Sequence, residues 1–529
     1  MSRSEVRRGL RAAVLACAFA LAACLSAAAQ QPTPTQTPEA RPEDASLEMK
    51  VFERLEWRNV GPGNMGGRVA DVEGVPGNPH LVYVASASGG LWKTTNGGTR
   101  WTSVFDRQGT LSIGDIALEP GNPDVIWVGT GESAVRNSVS FGDGVYKSTD
   151  GGKTWQHLGL RDTRHVSRIV IDPRNPERVW VGALGHAFGA NDERGVFLTN
   201  DGGRTWQKTL YVDAEHGVAD LALDPSNPNV LYAAMWKFRR TPWTHTSGSD
   251  RGGVFKSTDG GRTWKKLTEG LPKLVGRIGV AVAPSNPNVV YVITEAKEGT
   301  LYRSDDRGET FRNVSKQTSI VSRGFYYTQV RVDPVNENRV YAVASTLFVS
   351  IDGGRTFRSI TGRTHIDYHA LWIDPQQPRR MWQGQDGGVA VTQDGGETWE
   401  VVNNFSLAQF YQIHADDRQP FYYVMGGLQD NGSWTGPSRT REPAGILNDD
   451  WRMVSFGDGF YAINHADDPD LYLTESQGGN IVRTDMRTRE QQLVVPYMGD
   501  DSGPAETAKY RFNWNSPIVQ SPHDKDTVY

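Results

Sequence analysis

The chain of 529 residues contains only two cysteines, Cys17 and Cys24, and both lie close to its N-terminus. The rest of the chain therefore has no thiol for a disulfide or a thiolate metal site. A net charge of −5 supplies no basic field for nucleic acid, so we expect no nucleic-acid partner. Beyond the N-terminal segment no apolar run is long enough to span a bilayer. We expect no cofactor.

Residues 1–29 have the pattern of a signal peptide. Arg7, Arg8 and Arg11 precede an apolar stretch over residues 12–23, and Ala27-Ala28-Ala29 before Gln30 fits signal peptidase I. Leu21-Ala22-Ala23-Cys24 also matches a bacterial lipobox, in which Cys24 becomes the lipidated N-terminus. Secretion or periplasmic release, and an outer-membrane lipoprotein anchored through Cys24, both remain open. Residues 30–50 form a Pro/Thr/Gln-rich linker.

A turn of the form Ser/Thr-x-Asp-x-Gly-x-Thr-Trp recurs seven times in this glycine-rich and tryptophan-rich chain. Its terminal aromatic residues are spaced 42 to 58 residues apart, which is the range of four-stranded propeller blades. The acidic side chain can accept N–H groups of the turn, and the glycine permits a positive φ. We therefore predict a structural role for the third residue of each turn, which is Asn96, Asp150, Asp201, Asp259, Asp306, Asp352 or Asp394.

We call each of these recurring turns a box. A second signature, an apolar strand followed by an Asp-Pro-x-Asn-Pro-like turn, precedes each box and occurs ten times, as in Ile169–Pro176. Each repeat then contains strand A, this turn, strand B, a variable loop, strand C, the box and strand D. The sequence thus predicts an all-β propeller with repeats 1–7 over residues 51–404 and degenerate, incomplete repeats 8–10 over 405–529. A ten-bladed ring and a seven-bladed ring followed by a second one both remain open.

The two ends of the repeat region are expected to be related. Leu55–Val60 resembles a strand D without strands A to C, the segment with which a propeller completes its last blade. The chain stops at Tyr529, inside strand B of the tenth repeat. We therefore expect the sequence to be a fragment of a longer protein.

Function is expected where the repeats vary. The A–B turns and the boxes are expected on one face of the propeller. The B–C loops and the first residues of each strand A then lie on the opposite face. Three B–C loops are long, over residues 129–144, 185–195 and 236–253, and the third suits stacking on a sugar or anchoring a peptide. Packing over a neighbouring blade is the alternative for that loop. The candidate ligand-binding residues in these loops are Glu132, His186, Trp236, Arg239, Arg240, Trp243 and His245.

Two further polar patterns have weaker implications. Residues at the start of the inner strands predict a mainly acidic ring at the mouth of the central channel, and a hydrated channel without a ligand is the alternative. The ring comprises Asp71, Asp115, Arg168 and Asp220, with Gln329 and Gln412. His365-x-Asp367-x-His369 has the spacing of metal ligands on one strand face. No further ligands are identifiable, so we expect no metal.

The repeated turn resembles the Asp-box, or BNR repeat, and residues 57–529 resemble the bacterial secreted Vps10/sortilin-like, BNR-repeat "glycosyl hydrolase" family. This family is related in repeat type to xyloglucanases. The resemblance implies a propeller that binds a peptide, protein or glycan, with a glycoside hydrolase as the alternative. It is carried by Trp57–Pro62, Phe141–Ser148, Val275–Val280 and Gly427–Gly432.

The enzyme alternative requires two carboxylates that flank the scissile bond. In the resemblance to xyloglucanases, one catalytic aspartate belongs in the first B–C loop, where this chain has Ala87. Substitute acids on the same face are Asp386, Asp430 and Asp458. Arg68, Arg168 and Arg277 could imitate the arginine triad of sialidases, but the Phe-Arg-Ile-Pro start of those enzymes is missing. We therefore favour a binding propeller.

Overall fold

The computed structural model describes residues 58, 60–61, 65–136, 138–404, 406–495 and 509–529. The chain divides into residues 1–59 and 60–529, and every described residue except Arg58 belongs to the second unit. The predicted signal peptide, the linker and most of Leu55–Val60 lie outside the described residues. No helix in the described part of the chain is both long and apolar enough to cross a membrane.

The first four sheets are antiparallel, and their strands follow one another in sequence order. Sheet 1 contains β1 (Val69–Val75), β2 (Asn78–Ser86), β3 (Leu91–Thr94) and β4 (Thr102–Ser103). Sheet 2 contains β5 (Ile113–Glu119), β6 (Asn122–Thr130), β7 (Val145–Ser148) and β8 (Gln156–His157). Sheet 3 contains β9 (Val166–Ile171), β10 (Val179–Ala183), β11 (Gly195–Thr199) and β12 (Gln207–Leu210). Sheet 4 contains β13 (His216–Leu223), β14 (Leu231–Arg240), β16 (Gly253–Ser257) and β17 (Lys265–Lys266), with β15 (His245–Ser247) paired to β14.

Three further sheets complete the box-containing repeats. Sheet 5 contains β18 (Ile278–Val282), β19 (Val290–Thr294), β20 (Leu301–Ser304) and β21 (Arg312–Ser315). Sheet 6 contains β22 (Gln329–Asp333), β23 (Asn336–Val343), β24 (Leu347–Ser350) and β25 (Arg358–Ser359). Sheet 7 contains β26 (Tyr368–Ile373), β27 (Met381–Gln385), β28 (Gly388–Thr392) and β29 (Glu400–Val402).

Two of the degenerate repeats also form four-stranded sheets. Sheet 8 contains β30 (Phe410–Ala415), β31 (Tyr423–Leu428), β32 (Ser433–Pro437) and β33 (Arg452–Ser455). Sheet 9 contains β34 (Gly459–Asn464), β35 (Leu471–Ser476), β36 (Asn480–Asp485) and β37 (Gln491–Leu493). The tenth repeat contributes the isolated bridge between Gln520 and Val528. Short 3-10 helices occupy Arg161–Thr163, Thr318–Val321 and Asn448–Asp450. The predicted all-β fold of four-stranded repeats is confirmed.

Each box lies against the A–B turn of its own sheet. In sheet 6, Gly353 N of the box donates to the carbonyl of Asn338 in the A–B turn at 2.9 Å. In sheet 2, Gly151 N donates to the carbonyl of Asp124 at 2.9 Å. Boxes and A–B turns therefore share one face, which we call the box face. Because the strands are antiparallel, the B–C loops emerge on the opposite side, which we call the loop face.

The box aspartates hold the turns through hydrogen bonds. In the fourth box, Asp259 accepts the main-chain N–H groups of Arg262 and Thr263 at 3.0 Å. Its second oxygen accepts the Thr263 hydroxyl at 2.6 Å. Asn96 replaces the aspartate in the first box and still accepts the N–H of Arg100 at 2.8 Å. The carboxylate thus supplies acceptors for turn N–H groups that no strand partner satisfies.

Box tryptophans join sheets 2 and 3 to the sheets that precede them. Trp155 Nε1 donates to the carbonyl of Val104 at 2.7 Å, and Trp206 Nε1 donates to that of Leu158 at 2.8 Å. In the first box, Trp101 packs edge-on against Trp382 of sheet 7, with ring centroids 6.2 Å apart.

Sheets 1 and 7 share an apolar core around Val69, Val72 and Ala370. Gly77 N of sheet 1 also donates to Asp374 Oδ1 of sheet 7 at 3.2 Å. These contacts close sheets 1 to 7 into a ring, which favours the second of the two predicted arrangements. Sheets 8 and 9 follow the ring and pack on each other around Met425 and Ala462.

Replacing Asp259 with alanine should lower the free energy of unfolding by about 1 kcal/mol or more, since several turn hydrogen bonds are lost. Thermal and urea unfolding would measure the change. Asp417→Ala provides the control, because Asp417 is exposed and has no described side-chain hydrogen bond. Equal stability of the Asp259 and Asp417 variants would contradict a structural role for the box.

Candidate functional site

The B–C loops of sheets 2, 3 and 4 pack together into a second apolar layer on the loop face. Val135 of sheet 2, Ala187 of sheet 3, and Trp236 and Phe238 of sheet 4 are buried in one cluster. Trp236 is only 1% exposed, and its indole packs under the guanidinium of Arg277 at 5.2 Å. The prediction that Trp236 binds ligand was wrong, because its side chain holds the loops together.

The rest of the third long loop is a β-hairpin that extends beyond the ring. Strand β14 continues to Arg240 and pairs with β15, so that Trp243 at the tip is 82% exposed. The hairpin is fixed to sheet 3 because Arg240 N donates to the carbonyl of Ala187 at 2.8 Å. His245 packs on Phe325, with ring centroids 4.4 Å apart.

Two other aromatic side chains are exposed on the neighbouring loops. Phe141 in the sheet 2 loop is 61% exposed, and Phe188 in the sheet 3 loop is 50% exposed. The Arg164 guanidinium lies 5.0 Å from the Phe141 ring centroid. In the same sheet 3 loop, His186 Nε2 lies 3.0 Å from Asp162 Oδ1. Exposed aromatic rings thus occur on three successive sheets of one face.

A buried polar network lies at the centre of the loop face. Arg68 of sheet 1 forms a bidentate ion pair with Glu132 of sheet 2, with Nε–Oε1 at 2.6 Å and Nη2–Oε2 at 3.0 Å. Arg68 also donates to the Tyr326 hydroxyl at 2.9 Å, and this hydroxyl donates to Asp386 Oδ2 at 2.9 Å. His369 Nε2 lies 2.8 Å from Asp386 Oδ1. Burial raises the pKa of Asp386, but His369 and Arg68 outweigh it and hold that pKa below its usual range.

Sheets 8 and 9 extend this network. The Asp430 carboxyl is hydrogen-bonded to that of Asp386, and Asp430 N donates to Asp458 Oδ1 at 3.0 Å. Arg136 of the sheet 2 loop donates to the Tyr411 hydroxyl at 2.8 Å and lies 3.8 Å from Asp430 Oδ2. The structure therefore brings together all three acids that the sequence singled out.

The two hydrogen-bonded carboxyls differ in protonation. Burial, followed by the charges of Asp386 and Asp458, raises the pKa of Asp430 to about 9. At neutral pH Asp430 therefore carries a proton beside an ionised Asp386. Direct contact leaves no space between them for a glycosidic bond, which needs carboxyls about 5 Å or more apart. Ala87, at the position of the expected first-blade aspartate, is fully buried.

The predicted acidic ring joins neighbouring sheets. Asp71, Asp115 and Asp220 each accept a main-chain N–H from the inner strand of the following sheet, at 3.1, 2.6 and 3.1 Å. Arg168 bridges Asp115 and Asp220 at 2.8 and 3.1 Å. These four side chains are engaged with the backbone of neighbouring sheets and with one another, which indicates a structural role instead of the predicted ligand-binding one.

The sialidase-like and metal-like patterns do not form sites. Arg277 donates to main-chain carbonyls, including that of Ser133 at 3.0 Å, so the three arginines have separate partners. Strand β26 begins at Tyr368, after His365 and Asp367, and Asp367 has a φ of 71°. The alternation expected of a strand therefore does not hold for His365, Asp367 and His369. No metal-binding group of three or more His, Cys, Asp or Glu side chains occurs in the described ranges.

Sequence reasoning missed the residues that connect the network. Arg136, Tyr326 and Tyr411 lie in different repeats, and only Arg136 falls in one of the long loops. The segment before β22 has positive φ values at Arg323 (50°) and Thr328 (73°). Nothing in the repeat pattern signals this departure, because the segment replaces an ordinary connection between blades.

Comparison with known proteins identifies relatives among propellers. A xyloglucanase from Paenibacillus sp is 27% identical over 237 residues, 39% of this chain and 22% of that enzyme. The photosystem II assembly lipoprotein Ycf48 from Picosynechococcus sp. (strain ATCC 27264 / PCC 7002 / PR-6) is 25% identical over 315 residues, 48% of this chain and 82% of Ycf48. A solved ancestral GH74 enzyme has a TM-score of 0.47 and 18% identity, with 89% of this chain and 74% of that chain covered. The chain spans only about a quarter of the length of the first xyloglucanases it matches.

The family model described as "Sortilin, neurotensin receptor 3" (Sortilin-Vps10) matches residues 143–299 and 299–425. These ranges run from strand β7 of sheet 2 to strand β31 of sheet 8 and cover more than half of the sequence. The chain belongs to the sortilin-Vps10 family.

Proposed function

We propose that the chain is an extracytoplasmic propeller that binds a peptide, protein or glycan on its loop face. The observation that carries this proposal is the exposure of Phe141, Phe188 and Trp243 on the loops of three successive sheets. Exposed aromatic side chains in such a group are typical of interaction sites. The buried layer beneath them, which includes Trp236, holds their loops in place.

Charge at the hairpin supports the same proposal. The Arg240 guanidinium has no hydrogen bond or ion pair among the residues that the structure describes. Burial and the charge of Arg136 lower its pKa, as expected for a cation without a counter-charge. Arg239 precedes it on the same strand. Aromatic rings beside arginines suit stacking on sugar rings and anchoring of peptides.

The relatives and the N-terminal sequence are consistent with this proposal. The name of the Ycf48 relative describes an assembly factor, which supports a protein ligand, and the xyloglucanases support a glycan. The charged, apolar and small-residue pattern of residues 1–29 supports export from the cytoplasm. Lipid attachment at Cys24 would add an anchor to the membrane.

The double variant Trp243→Ala, Arg240→Ala should weaken binding by about 2 kcal/mol or more, the scale of an interface hot spot. The ligand would first be found on glycan and peptide arrays, and its affinity for the variants measured by titration calorimetry. Little change in melting temperature is expected, because the Trp243 side chain is exposed.

Ile351→Ala is the matched control, since Ile351 is 71% exposed in a turn of the box face. It should leave binding unchanged. If the double variant melts markedly lower and keeps its affinity, the hairpin serves only to pack across neighbouring sheets and the proposal is wrong.

A glycoside hydrolase is the second candidate, and the protonated Asp430 beside ionised Asp386 is the observation that favours it. A general acid with a raised pKa is one half of such a site. The hydrogen bond between the two carboxyls argues against it, since a glycosidase needs its pair of carboxyls about 5 Å or more apart.

Incubation with xyloglucan and with bacterial polysaccharides should therefore release no reducing ends above background. The assay compares the unchanged protein with Asp430→Asn, Asp386→Asn and the exposed control Asp417→Asn. Release that Asp430→Asn abolishes and Asp417→Asn retains would establish hydrolysis and overturn the pure binding proposal.

A further inference from the structure

A funnel opens on the box face, opposite the loops discussed above. Its volume is about 690 Å³, and it is lined by the ends of the inner strands and by A–B turns of sheets 1, 2, 5, 6 and 7. The funnel offers a cavity of the size that small ligands occupy.

The wall of the funnel is largely apolar. Trp372 of sheet 7 is half-buried in it, and one side of its ring covers Gly74, where an added Cβ would lie 2.7 Å from the indole. Proline rings from the A–B turns complete the wall, at Pro76, Pro120, Pro123, Pro284, Pro334 and Pro375. An apolar wall with one large aromatic ring favours a ligand that stacks on that ring.

Three charged side chains line the funnel: Glu73, Glu119 and Arg331. The half-buried Glu73 carboxyl has no hydrogen bond or ion pair within the described part of the chain. Arg331 is directed elsewhere, because its guanidinium donates to the Val330 carbonyl at 3.1 Å and to Gln329 Oε1 at 2.9 Å. The Glu73 carboxyl thus has no directly paired counter-ion in this largely apolar cavity.

The charged groups around Glu73 indicate which charge a ligand in the funnel would carry. Asp71 and Asp115 face it from sheets 1 and 2, and Arg168 and Arg331 face it from sheets 3 and 6. Burial and then the two aspartates raise the pKa of Glu73 well above its usual value, and the two arginines only partly oppose them. A positively charged ligand would stabilise the ionised carboxylate that these surroundings disfavour, whereas an anion would disfavour it further.

We propose that this funnel binds an organic ammonium ion, which pairs with the Glu73 carboxylate and packs on the face of Trp372. The cation–π contact and the ion pair act together, because both are shielded from water by the proline-lined wall. This site is separate from the loop face and does not rest on the binding function proposed for that face.

The test uses three probes of similar shape and different charge with the full chain: choline, its neutral analogue 3,3-dimethylbutan-1-ol, and the anion 3,3-dimethylbutanoate. Calorimetry should show that choline binds at least about tenfold more tightly than the neutral analogue, as expected for a desolvated cation–π contact joined to an ion pair. The anion should show no binding. Equal binding of choline and its neutral analogue, or no binding of choline, would overturn the proposal.

Two substitutions assign the interaction to its residues. Glu73→Gln should remove the preference for choline over the neutral analogue, and Trp372→Leu should weaken choline binding about tenfold. Glu119→Gln is the control, since Glu119 also lines the funnel but lies on sheet 2 and not next to the Gly74 that Trp372 covers. Trp372→Phe keeps an aromatic face and should retain most of the affinity if the leucine variant proves unstable.

Dependence on pH provides a readout that a purely structural role of Glu73 would not produce. Pairing with a cation requires the carboxylate, so choline affinity should rise by about tenfold per pH unit below the pKa of Glu73. The Glu73→Gln protein should bind choline weakly at every pH. A wild-type affinity that is independent of pH and is unchanged by Glu73→Gln would refute the assignment.

Discussion

Each sheet of the ring is joined to its neighbours at two distances from the axis, and the rest of the structure depends on these links. Near the axis, Asp71, Asp115 and Asp220 accept main-chain N–H groups of the next sheet. Further out, the box tryptophans donate to carbonyls of the preceding sheet, as Trp155 and Trp206 do. Because the inner links satisfy buried amides, the sheets stay in register while their outer loops vary.

The repeat pattern predicted the strands and the boxes well, because each box combines an acceptor, a glycine and an aromatic residue within eight positions. It could not predict which sheets meet. The network contacts join residues that lie far apart in sequence: Arg68 and Tyr326 are 258 positions apart, and Arg136 and Tyr411 are 275 apart. Trp236 was misjudged for a related reason, since its loop composition suits both exposure and burial, and only the neighbouring loops decide between them.

The loop face combines a buried polar network with exposed B–C loops that differ from repeat to repeat. Glu132, Asp386 and His369 are almost completely buried, so the polar network contributes order rather than an open reaction site. It also ties Asp430 of sheet 8 to the first ring, which fixes the second group of sheets beside the exposed aromatic residues. Binding surfaces gain affinity when their anchors are held in this way, since less conformational entropy is lost on association.

Every sheet of the first ring is built from strands of one continuous chain segment, including sheets 1 and 7. Most strand pairing is therefore local, and each meander can form before the others are complete. The seam between sheets 1 and 7, which includes the contact of Trp101 with Trp382, requires residues from opposite ends of the ring. In the described residues sheets 1 and 7 share no strand, and the seam consists of side-chain packing and of the hydrogen bond from Gly77 N to Asp374. Its closure is the step of folding with the largest loop-closure entropy.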